Sequence, residues 1–177
     1  MANLQNIIQA FAVGFPGLST WLHSSASSEL IVDDDVQGCI FVPAGTVQGF
    51  TVDNPTGRTF NLIQVDDRLL PAAPGGQCDC AFVYDESINL LEFKTNTVTF
   101  NTRTARKHYV KAEKQLKNTL LRLGLAGVNV LMLASDVEAH ICFNNSFPRQ
   151  RANEMNRAMR FVNATGVGLS FENHKTI

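Results

Sequence analysis

The chain has 177 residues, 45% of them hydrophobic, which is enough for one domain with a substantial core. Its formal net charge of −1 gives no whole-chain support for binding a polyanion. The four cysteines (Cys39, Cys78, Cys80, Cys142) lack a second pair at zinc-ligand spacing, so no zinc pattern is present and reduced thiols are expected.

The N-terminal apolar run, Ile7 to Phe15, has no basic stretch before it and is broken by Gln9, Gly14 and Pro16. That fits neither a secretory signal nor a membrane span, so a cytoplasmic protein without membrane contact is expected. Leu4, Ile7, Ile8 and Phe11 recur at helical spacing and predict a helix over 3–13, with a further turn over 18–22. Residues 23–28 are rich in Ser and Ala and read as a polar helix end or a loop. A β-rich section opens at Glu29, with short strands predicted at 29–32, 38–43 and 48–52. Asp33-Asp34-Asp35 reads as a solvated turn, because it lacks the ligand spacing and later Glu of a calcium loop. The glycines here match neither a P-loop nor a dinucleotide fingerprint. A strand over 59–65 ends at Asp66-Asp67-Arg68, and a Pro/Gly-rich loop over 71–77 follows.

The most informative stretch is 78–95. Cys80 to Tyr84 and Ile88 to Phe93 are two short apolar runs split by Asp85-Glu86-Ser87, which predicts a hairpin. If Asp85 and Glu86 form the loop, Tyr84 pairs with Ser87 and Asp79 falls opposite Glu92, their Cβ atoms about 4.5–5.5 Å apart. Lys94 shares that face about 7 Å further along. Two carboxylates at about 4 Å, with an effective dielectric near 20, repel by on the order of 4 kcal/mol. Protonation, pairing with Lys94 or a bound cation relieves that repulsion. Hard oxygen ligands on such a face suit Mg²⁺, and a neighbouring lysine suits a phosphate oxygen or an attacking water.

Residues 104–123 form the clearest predicted helix. Tyr109, Ala112, Leu116, Leu120 and Leu123 make its buried stripe, Arg106, Lys107, Lys111, Lys114 and Lys117 its polar side, and Gly124 its cap. Residues 128–134 are almost continuously apolar and read as a buried strand, and 140–143 as another short strand. A helix over 148–162 is predicted with Ala152, Met155, Met159 and Val162 inward and Arg149, Arg151, Arg157 and Arg160 as a second basic cluster. Residues 166–171 read as an edge strand.

Charge is unevenly spread. Residues 1–100 hold three basic and eleven acidic residues, and residues 101–177 hold twelve basic and five acidic. Either one surface meets an anionic partner, or the halves attract each other within one fold or across a homodimer.

Asp79 followed by Glu92-Phe93-Lys94 resembles the signature of the PD-(D/E)XK nuclease superfamily, with Cys78 where the family name has proline. The helix and apolar strand that follow fit the same pattern. The resemblance covers residues 59–134. It implies an α/β, restriction-endonuclease-like core: a mixed central β-sheet with a motif hairpin, then an amphipathic helix and a buried strand, flanked by helices, in one nuclease-like domain over 1–177. It further implies a metal-dependent nuclease acting on DNA or RNA, with Mg²⁺ or Mn²⁺ held by Asp79 and Glu92 and water positioned or activated by Lys94. Glu29 is the candidate for a third acid, with Asp66 or Asp67 as competitors. Gln115 is the candidate for a helix glutamine reaching the site. Arg106, Lys107, Lys111, Lys114, Arg149 and Arg151 are candidate nucleic-acid contacts. Two other readings stay open: a catalytically silent binding or assembly protein on the same fold, and an unrelated α/β domain in which Lys94 simply pairs with Glu92 or Asp79.

Overall fold

The computed structural model describes residues 3–34, 37–42, 48–95, 102–149 and 151–177. In chain order they form α1 (Leu4–Gly14), a 3-10 turn (Leu18–Trp21), β1 (Leu22–Ser25), β2 (Glu29–Asp34), β3 (Gly38–Val42), β4 (Phe50–Asp53), β5 (Phe60–Gln64), β6 (Cys80–Tyr84) and β7 (Ser87–Lys94). Then come α2 (Thr102–Leu125), α3 (Val130–Leu133), β8 (Asp136–Phe143), α4 (Arg151–Thr165), β9 (Gly168–Ser170) and β10 (His174–Thr176). The fold is mixed α/β, with two mixed sheets.

The larger sheet has the order β1-β5-β6-β7-β8-β9. Strands β1, β5, β6 and β7 pair antiparallel, and β7, β8 and β9 are parallel. Joining two parallel strands needs a crossover, and α2 lies in that connection from β7 to β8. The hairpin has the expected register, with Tyr84 paired to Ser87 and Cys80 to Leu91. Its turn places Asp85 at φ 44, a left-handed conformation that Asp tolerates better than most residues, and Arg58 Nη1 donates to its carboxylate at 2.8 Å.

Alternation along these strands divides the core into two layers. Ala81, Val83, Ile88 and Leu90 face a cluster with Ile7 and Phe11 of α1 and with Tyr109, Ala112 and Leu116 of α2. Cys80, Phe82, Leu91 and Phe93 face the smaller sheet, meeting Ile31, Cys39, Phe50 and Val52. That second sheet has the order β10-β4-β2-β3. The larger sheet is therefore covered on both faces, which explains why β6 and β7 read as nearly continuous apolar runs.

Several elements differ from the sequence expectation. Residues 22–25 are a strand, because Leu22 to Ser25 pair with Phe60 to Ile63. Asp33 and Asp34 continue β2, and Asp35 lies outside the described residues. Helix α2 runs through Gly124, and the left-handed glycine that ends this region is Gly127, at φ 84. The apolar run 128–134 is a single helical turn anchored by Val130, with Met132 81% exposed, and the parallel partner of β7 is β8.

Helix α4 is turned the other way round from expectation. Ala152, Met155, Met159 and Val162 are exposed, Met155 by 70%, while Glu154, Arg157 and Phe161 are buried. Both sets recur at helical spacing, so apolarity alone chose the wrong face. The inward acid and base are held by specific partners. Glu154 accepts from Tyr109 Oη at 2.5 Å and from both arms of Arg149. Arg157 pairs with Glu113 and lies 4.9 Å over the Tyr109 ring.

Candidate active site

Asp79 stands just before β6, where the chain enters the hairpin. Its N–H donates to Leu91 O at 3.0 Å, and its carbonyl accepts from Val65 N at 3.0 Å and Asp66 N at 3.2 Å. These bonds fix the backbone between β5 and β7. Its side chain reaches across to β7, where Oδ2 accepts from Phe93 N at 2.5 Å. The Asp79 carboxylate thus lies beside the Glu92-Phe93-Lys94 segment, as the register predicted.

Glu92 is fully buried. Its Oε1 accepts from Lys94 Nζ, and its Oε2 has no hydrogen-bond partner. The same ammonium donates to Phe93 O at 3.0 Å. Burial and the neighbouring Asp79 push the Glu92 carboxyl well above the usual range, against the opposing pull of Lys94. Asp79 is pushed up to about 7, chiefly by burial and then by Asp33, while the Phe93 hydrogen bond and Lys94 oppose the rise. The carboxyl pair is therefore hard to ionise in full, and one ammonium only partly offsets its burial and mutual repulsion.

Two more acids bear on it. Asp66 leaves the end of β5, and its carboxyl is raised by burial and Asp67, with Gln77 and Lys94 pulling the other way. Asp33 approaches from the smaller sheet. It pairs with Cys39, whose carbonyl accepts from Gln64 Nε2 at 3.0 Å, and Gln64 pairs with Cys80 next to Asp79. The parity of Ile31 and Asp33 along β2 was the available signal for this placement.

Glu29 is a correction. It starts β2, accepts from Ser25 Oγ at 2.6 Å, and pairs with Val52. Ser25 pairs with Phe60 and Phe60 with Tyr84, so Glu29 lies toward the opposite end of the sheet from Asp79, four residues or about 13 Å along β2 from Asp33. Gln115 stands beside the loop that leads to Asp79. Its Nε2 donates to Gln77 O at 3.1 Å and Gly76 packs against it, so it braces the loop leading to Asp79. Its buried Oε1 has no partner.

Of the basic candidates, Arg106, Lys107, Lys111 and Lys114 are exposed and line one open groove along α2 with Arg103 and Val110. Arg151 is exposed in the first turn of α4. Arg149 is a second correction: its Nε and Nη2 bind Glu154 at 2.9 and 2.8 Å, and it also reaches Glu172 at 3.3 Å. That two-armed pairing takes the hydrogen bonds a phosphate would use.

Among the described residues, no three His, Cys, Asp or Glu side chains are grouped so as to hold a metal ion. The two motif carboxylates and the unpartnered Glu92 Oε2 nevertheless match Mg²⁺, which commonly takes one or two carboxylates and fills its remaining positions with water or substrate oxygens. Among the described residues no helix is long and apolar enough to cross a membrane. Comparison with protein-family models, with curated proteins and with solved structures finds no match for this chain.

Proposed function

We propose that this protein is a metal-dependent nuclease with a PD-(D/E)XK-type core, hydrolysing phosphodiester bonds in nucleic acid. The observation that carries the reading is the Asp79 side chain on the Phe93 N–H, which gathers Asp79, Glu92 and Lys94 at one end of β6 and β7. The succession of antiparallel hairpin, helical crossover and parallel strand supports it.

Asp79 and Glu92 would hold Mg²⁺, which supplies charge neutralisation at the phosphate and a more acidic water. Asp79 is oriented for that task by Phe93 N, and Glu92 by the rigid ladder of β7 between two neighbours. Lys94 offers an ammonium to a phosphate oxygen or to the attacking water. The groove residues of α2 offer positive charge to the backbone of the nucleic acid.

Cleavage of plasmid and single-stranded substrates with Mg²⁺, Mn²⁺ or EDTA tests the reading. Activity is expected only with a divalent metal and is expected to be lost in Glu92→Ala and Lys94→Ala. Metal-independent activity, or full activity in both variants, would overturn it. One observation favours a second reading, an unrelated α/β domain: Lys94 already satisfies Glu92 Oε1, as a plain strand ion pair would. That reading predicts no divalent-metal binding at the carboxylates and no cleavage.

A further inference from the structure

The Lys94 ammonium bonds two oxygens at once, Glu92 Oε1 and Phe93 O. These are hard oxygen atoms of the kind a divalent cation prefers, and they lie beside the Asp79 carboxylate. The Lys94 side chain is itself only 10% exposed, and the Glu92 side chain is 0% exposed. Of the oxygens named here, Asp79 Oδ2 is taken by Phe93 N and Glu92 Oε1 and Phe93 O by Lys94, while Glu92 Oε2 is buried without a partner. A cation drawn to the free Glu92 Oε2 would meet the ammonium as a like charge on the same carboxylate in a poorly screened place, and that repulsion favours exchange over addition.

We propose that Lys94 is a resident counter-ion of the carboxylate site, and that a divalent cation binds by exchanging with it. The inference rests on the nuclease reading and adds a coupling to it. Exchange frees the Lys94 amine at the moment the metal is loaded. The amine then becomes available to phosphate only in the metal-loaded protein, so Lys94 guards the empty carboxylates and serves the filled ones. It stands at the last position of β7 on a flexible four-carbon stem.

The full chain is treated with a mild amine-acylating reagent with and without saturating Mg²⁺, and labelling is read at each lysine by mass spectrometry. Exposed Lys107 and Lys111 serve as internal references. Labelling at Lys94 is expected to rise about ten-fold or more relative to them. In parallel, calorimetry with Mg²⁺ is expected to show Lys94→Met binding about ten-fold or more tightly than wild type, since the competing charge is gone. If Mg²⁺ binds wild type while Lys94 labelling is unchanged or falls, or if Lys94→Met binds no tighter, the exchange is wrong and the nuclease reading survives. If wild type binds neither Mg²⁺ nor Mn²⁺, both fall. The labelling arm uses wild type, so it stands even where the variant fails to fold.

Discussion

Replacing Asp79 by Asn should stabilise the fold, by an amount that grows from pH 4 and is full above pH 7. The native carboxyl is held near 7 against an ordinary 3.8. Because the folded value lies above the unfolded one, ionised Asp79 destabilises the native state. The penalty is complete above pH 7, shrinks as pH falls through 7, and vanishes below 3.8. At about 1.36 kcal/mol per pH unit the ceiling at pH 8 is about 4 kcal/mol, and solvent at this half-buried side chain reduces it to on the order of 2–3 kcal/mol. The Asn Oδ1 can still accept from Phe93 N, so the backbone keeps its partner. Urea unfolding of wild type and Asp79→Asn, followed by circular dichroism from pH 4 to pH 8.5, measures the difference. A gain at pH 8 that fades toward pH 4 is expected. A variant less stable than wild type at pH 8, or a difference independent of pH, would refute the reasoning that burial and the nearby Asp33 oppose ionisation of this carboxyl.

Three further outcomes follow from the same geometry. Met155→Lys and Met159→Lys should each change stability by no more than about 0.5 kcal/mol in urea unfolding, because both side chains face solvent. Glu154→Ala should cost about 3–5 kcal/mol in the same experiment, since it removes the buried acceptor of the Tyr109 hydroxyl and of both arms of Arg149. Lys111→Ala should weaken nucleic-acid binding irrespective of sequence and lower the slope of log affinity against log salt by about 1, measured by fluorescence anisotropy.

The central hairpin was legible because turn chemistry and strand alternation agreed: Asp85-Glu86 set the loop, and the register brought Asp79 beside Glu92. Helix α2 was legible for a similar reason, as one stripe of apolar residues met the sheet. What was hidden depended on partners distant in sequence. The face of α4 is set by Tyr109 and Glu113, which receive Glu154 and Arg157, so a residue's polarity did not reveal its direction. Asp33 replaces Glu29 near the site because β2 runs in an added sheet whose far end packs on Gln64. The strand expected at 128–134 failed because the run folds into one helical turn after Gly127, with Val128 and Val130 in the core and Leu131 and Met132 in solvent, while β8, with alternating polar residues, takes the place beside β7. Lys175 explains that alternation, since it gathers Asp136, Glu138 and Asn89 on one face.

Calorimetric titration of Mn²⁺ into wild type and the Asp79→Asn/Glu92→Gln double variant, both confirmed folded, addresses the carboxylate pair most directly. A shared metal site predicts binding in wild type that is abolished in the double variant. Absence of binding to wild type, or equal binding to both proteins, would contradict it.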